Sequence, residues 1–218
     1  MDASRRRGGC FFAALIIVAG PVLSGSSPTL SASGQTIFDF VSAHRSHLKI
    51  SAALAALAMT FFLLWLSGLF GLLRQATGGY PTPAVAAVAG GVLAASTGLG
   101  SAAVKAALAC QIGEIGPGSA RSVYTLVRFT NGGVLFGLML VIGVTAVATY
   151  ASPLVGRWFS LLSAALVVGS LVGAASIAYA NSAIQKLGSA FLSLDALWVL
   201  VVCVLLWRRT AMHERSAP

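Results

Sequence analysis

The sequence predicts an all-α, polytopic transmembrane helix bundle of six spans, and three observations carry that prediction. Of 218 residues, 57% are hydrophobic and only 9% are charged, whereas soluble domains carry roughly 25% charged residues. Apolar runs of about 20 residues, the length that crosses a hydrocarbon core of roughly 30 Å, follow one another along nearly the whole chain. Basic residues flank these runs, with Arg5-Arg6-Arg7 before the first and Arg208-Arg209 after the last. No segment is long enough for a separate globular domain, so residues 1–218 are expected to form one membrane domain. The formal charge of +9 is dispersed along the chain rather than gathered in a soluble patch. That distribution points to the lipid bilayer as partner and away from nucleic acid.

The first span is expected at about residues 11–27. Its apolar stretch from Phe11 is interrupted by Gly20-Pro21 and followed by a Ser/Gly/Pro-rich segment. A basic start, a short apolar core and small residues after it are also the layout of a secretory signal peptide, whose removal would leave five spans. Either way residue 35 is expected outside. Residues 35–47 set Phe38, Phe40 and Val41 among Asp39, His44, Arg45 and His47, the pattern of an amphipathic helix at the outer membrane surface.

The second span, 50–73, closes at Arg74 and the turn Thr77-Gly78-Gly79-Tyr80-Pro81-Thr82-Pro83, where Gly and Pro punctuate the chain. The third, 84–110, carries one charge, Lys105, and is followed by a loop over Gly113–Gly118. The fourth, fifth and sixth follow at 129–150, 158–181 and 188–207. The expected inner segments hold Arg5, Arg6, Arg7, Arg74, Arg157, Arg208, Arg209 and Arg215, against Arg45, Lys49, Arg121, Arg128 and Lys186 outside. That bias has the sign of the positive-inside rule and puts both termini in the cytoplasm. Trp158, Trp207 and Tyr150 fall at the inner boundary and Tyr179 near the outer one, as an aromatic belt requires. Cys10, Cys110 and Cys203 fall on opposite faces of this topology and form no CxxC pair, so no structural disulfide is expected.

Gly90, Ala94, Gly98, Ala102 and Ala106 recur every four residues on the third span, Gly133 and Gly137 on the fourth, and Ala165, Gly169 and Gly173 on the fifth. Such stripes let backbones approach closely. They read first as packing within the bundle, with homo-oligomerisation through the same faces as the alternative. Lys105 and Asp195 are the ionisable groups inside the apolar runs, each about 10 Å or less from the outer boundary by helical rise. Lys105 projects within about 20° of Gly98 and so points into the bundle. The expected resolution of two buried charges is a Lys105–Asp195 ion pair, acting as a structural clasp or as part of a pathway. Polar residues concentrate towards the outer half, so any ligand site is expected to open outward.

His44 and His47, with Asp39 as the one local carboxylate, fall short of a metal set, and neither metal nor cofactor is expected. Nucleotide-binding Gly-rich loops, His-Glu-x-x-His and Gly-x-Ser-x-Gly are absent from the sequence, and all three histidines lie outside the apolar runs. No catalytic residue is assigned. An enzyme acting on lipid would have to draw on Asp39, His44, His47 and Glu114 at the outer interface.

The segment Phe38-Asp39-Phe40-Val41-Ser42-Ala43-His44-Arg45, the run Phe61-Phe62-Leu63-Leu64-Trp65-Leu66 closing at Leu73-Arg74, and the terminal Leu197-Trp198-Val199-Leu200-Val201-Val202 to Arg208-Arg209 carry a resemblance. With its basic N-terminus and short first span, the chain resembles a group of six-helix integral membrane proteins of high-GC, actinobacterial-type bacteria that have no assigned activity. The resemblance implies six spans and transfers no site residue. The leading expectation is a non-enzymatic accessory or structural component of the cytoplasmic membrane. A small transporter or channel protomer with an outward-opening polar site stands second.

Overall fold

The structure is a computed structural model that describes residues 27–150, 157–174, 190, 191 and 193–204. Among the described residues all regular structure is helical: α1 (Gly34–Ala43), α2 (Arg45–Ala76), α3 (Thr82–Gln111), α4 (Pro117–Tyr150), α5 (Arg157–Ala174) and α6 (Ser193–Val204). The four helices α2 to α5 are long and apolar enough to cross a membrane. The expected first span lies outside the described residues apart from Ser27, as do residues 175–181 of the fifth and both ends of the sixth.

Ser33 caps α1, its hydroxyl accepting from the Thr36 amide at 3.1 Å, which satisfies a donor that the first turn leaves open. The amphipathic segment expected as one helix over 35–47 is divided. α1 stops at His44, and Arg45 already begins α2. The apolar face of α1 does not enter lipid, because Ile37 and Val41 are fully buried against Leu108, Ile112, Ala120 and Tyr124. α1 is therefore a lid across one end of the bundle, the α1 end.

At the opposite end, α2 terminates where Gly78 and Gly79 take φ of 65° and 96°, a left-handed conformation that glycine adopts without steric cost. Pro81 then leads into α3, and Pro117 begins α4, both at positions where the missing amide costs nothing. α4 starts well before Phe129, where hydropathy placed the span. Ala120, Tyr124 and Val127 extend its buried stripe beyond the apolar run, so packing sustains helix where the membrane does not.

The helices run antiparallel in sequence order. Leu66 and Met59 of α2 meet Gly91 and Gly98 of α3, and Gly90, Ala94 and Thr97 of α3 meet Leu140, Gly137 and Gly133 of α4. The small-residue stripe therefore serves the packing reading within the chain. A four-residue step turns about 40° around the helix, so Gly90 faces α4 while Gly98 faces α2. α6 closes the circuit, with the Trp198 ring 6.4 Å from Trp65 of α2 and 5.9 Å from Phe159 of α5. Large apolar side chains such as Leu64, Val92, Phe136, Val147, Leu161, Val168 and Leu197 are exposed around the outside. Apolar surface of that extent suits lipid rather than water as solvent.

Candidate functional site

Asp195 is 0% exposed. Among the described residues its carboxylate receives both of its hydrogen bonds from one hydroxyl, Ser170 Oγ on α5, at 3.0 and 3.2 Å. One turn towards the α1 end, the Phe191 ring lies over Gly169, where any Cβ would strike it. One turn the other way stands Trp198, whose indole N–H donates to Ser163 Oγ at 2.8 Å. The carboxyl is thus walled by an aromatic residue above and below, and glycine at 169 is what admits the upper one.

Buried hydroxyls continue from Asp195 towards the end away from α1. Ser170, Ser163 and Ser160 share one face of α5, and Ser160 meets Thr149 of α4 at 3.0 Å. Ser163 donates to the Phe159 carbonyl, and Thr149 and Thr145 donate to carbonyls one turn back on α4. Residue type alone does not single out these hydroxyls, because Ser and Thr are common in apolar runs. The signal the sequence does hold is their spacing on one face of 158–181 and the Thr145/Thr149 pair. The polar seam extends from Asp195 away from the α1 end, opposite to the expectation of a site opening on the side that carries α1.

The expected Lys105–Asp195 ion pair is not formed. Among the described residues no Lys or Arg nitrogen lies within 4.0 Å of a carboxylate oxygen. The reason is register. Trp65 is adjacent to Leu66, which meets Gly91, so Trp198 stands level with about residue 92 of α3. Lys105 is roughly 20 Å further along α3 and Asp195 only about 5 Å further along α6, leaving roughly 15 Å between their levels. Taking Gly188 as the start of the sixth span sets Asp195 too shallow. Asp195 lies level with about the middle of α3's length, whereas Lys105 lies near the α1 end. They also occupy different seams, Asp195 facing α5 and Lys105 level with Arg128 of α4, the like charge that acts on it.

The remaining outer candidates do not converge. Asp39 accepts from Gln35 Nε2 at 2.9 Å on the exposed face of α1. His44 stacks on Phe40 and its ring nitrogen Nδ1 lies 2.9 Å from the Phe40 carbonyl oxygen, with the His47 ring 6.4 Å away. Glu114 is exposed in the turn between α3 and α4. Among the described residues no three His, Cys, Asp or Glu side chains are grouped as a metal site. The α1 end is instead fastened by Arg45, which donates to the carbonyls of Ala109 and Cys110. Those carbonyls belong to the last turn of α3, where helix acceptors lack partners and a cation is favoured.

No family model matches the chain, and neither does a curated protein or a solved structure.

Proposed function

We propose that the chain is a non-enzymatic, six-span protein of the cytoplasmic membrane with both termini in the cytoplasm, acting as a small transporter or channel protomer whose ion-binding group is Asp195. The observation that carries this reading is the fully buried carboxyl at mid-depth whose one partner, among the described residues, is a hydroxyl. An uncompensated carboxylate in hydrocarbon costs several kcal/mol. With no cationic side chain in reach among the described residues, its charge is balanced by a proton or by a bound cation. Both can be exchanged with the surroundings, whereas the cation of a side-chain ion pair is part of the chain and cannot be. The seam of Ser170, Ser163, Ser160 and Thr149 supplies oxygen ligands along one direction from that group.

The test is proton, sodium and potassium flux in sealed vesicles containing the wild type or Asp195→Asn. The amide keeps the shape and an acceptor for Ser170 but cannot release a proton or carry the charge. The reading expects flux in the wild type, abolished in the variant at an unchanged unfolding midpoint. Equal flux in both refutes it.

A second reading, an accessory or structural component, is favoured by the same contacts taken as fasteners. Ser170–Asp195, Ser163–Trp198 and Ser160–Thr149 join α4, α5 and α6. On that reading the wild type passes no ion, and Asp195→Asn leaves whatever the protein supports intact.

A further inference from the structure

We propose that Lys105, Arg128 and the side-chain amide of Asn131 form a binding site for the phosphate of an anionic lipid headgroup, on the α3–α4 seam near the α1 end. Ser101 fixes the register there, donating to Asn131 Oδ1 at 2.7 Å and lying 3.3 Å from the Val127 carbonyl. Lys105 is one turn nearer the α1 end, which sets it beside the first turns of α4 that carry Tyr124 and Arg128. Arg128 is already oriented. Its Nη2 donates to Tyr124 Oη at 3.0 Å and to the Pro28 carbonyl at 3.3 Å, and its guanidinium carbon lies 5.4 Å from the Tyr124 ring centre.

What the three groups lack is an acceptor for the donors left over. The Lys105 ammonium, Arg128 Nε and Nη1, and Asn131 Nδ2 make no hydrogen bond within the described residues, and no carboxylate among them is within ion-pair distance of either cation. The nearest carboxylates in the described fold are committed or remote. Asp39 is bonded to Gln35 on α1, Glu114 sits in the turn beyond α3, and Asp195 faces α5. Lys105 and Arg128 are both half-buried rather than free in water. The Arg128 charge acts on Lys105 across the seam, and an anion bound between the two cations offsets that repulsion.

The depth selects the source of the anion. Lys105 lies about 9 Å along α3 from Gln111, close enough to the helix end for a lysine's long stem to span to the headgroup level. Arg121, seven residues before Arg128 and so on nearly the same face of α4 two turns nearer the end, adds positive charge where a headgroup would approach. Phe129 and Phe136, deeper on the same helix than Arg128, are exposed and offer apolar surface to the acyl chains.

The test uses the full chain in phosphatidylcholine bilayers, with phosphatidylglycerol or inorganic phosphate added in parallel. Bound lipid is counted by native mass spectrometry and the unfolding midpoint is measured. Phosphatidylglycerol is expected to bind and raise the midpoint, inorganic phosphate at equal concentration to do neither. Lys105→Gln, which breaks no hydrogen bond or ion pair among the described residues, is expected to weaken phosphatidylglycerol binding about tenfold, the scale of one charge-assisted hydrogen bond, while Lys105→Arg retains it. Wild-type binding by Lys105→Gln overturns the site. Stabilisation by inorganic phosphate alone overturns the lipid as its ligand.

Discussion

Replacing Gly137 by alanine tests whether α3 and α4 are held at backbone contact. A methyl at Gly137 would strike the Ala94 backbone nitrogen and come within 2.6 Å of the Gly90 carbonyl oxygen, where an ordinary approach begins at 3.4 Å. The obstacle is backbone, which cannot rotate aside, so the helices must separate by at least about 0.8 Å at this crossing, the shortfall at the Gly90 oxygen alone. A gap of that size forfeits roughly a quarter to a half of the dispersion energy of each atom pair it opens, and overpacking typically costs about 1–3 kcal/mol. In hydrocarbon, packing is the main attraction between helices, so the upper end of that range applies. We expect a loss of about 3 kcal/mol, roughly a 150-fold fall in the folding equilibrium constant. The control is Gly100→Ala on the same pair of helices, because nothing lies within 4 Å of a Cβ at Gly100. There the better helix former is expected to gain about 0.5–1 kcal/mol. Reversible unfolding of both variants in mixed micelles, followed by circular dichroism, measures the difference. Equal stability of the two variants would refute the close approach of α3 and α4.

Two further outcomes concern the α1 end. Arg45→Met removes the donors to the Ala109 and Cys110 carbonyls and is expected to cost about 1.5–3 kcal/mol, the range for hydrogen bonds from a charged group. Hydrogen exchange should rise in the last turn of α3 and leave Gly90 to Gly98 unchanged. Cys110 is exposed at that end while Cys203 is buried in α6. If the α1 end faces outward, a membrane-impermeant maleimide applied to intact cells labels Cys110, and labelling only after lysis reverses the orientation.

The sequence determined the solvent of this protein and the order of its helices. Both follow from hydropathy summed over some 20 residues, which one misjudged side chain cannot alter. It also marked Gly90, Ala94, Gly98, Gly133 and Gly137 as packing positions, because a missing side chain is visible without knowing the partner. The helical extension of α4 to Pro117 and the burial of Ile37 and Val41 were not legible. Amphipathic segments look alike whether their apolar face meets lipid or protein.

Only the tertiary structure decided how deep each polar group lies and what it meets. Asp195 stands out by residue type alone, but a partner assigned from distances to estimated span ends carries an error of a few residues, which shifts depth by several ångströms. The observed partner, Ser170, is fixed instead by contacts of whole helices, Trp198 on Trp65 and Phe159, and Phe191 over Gly169. Periodicity states which face of a helix is buried. Which helix stands opposite, and at what height, depends on side-chain volumes distributed over several helices at once.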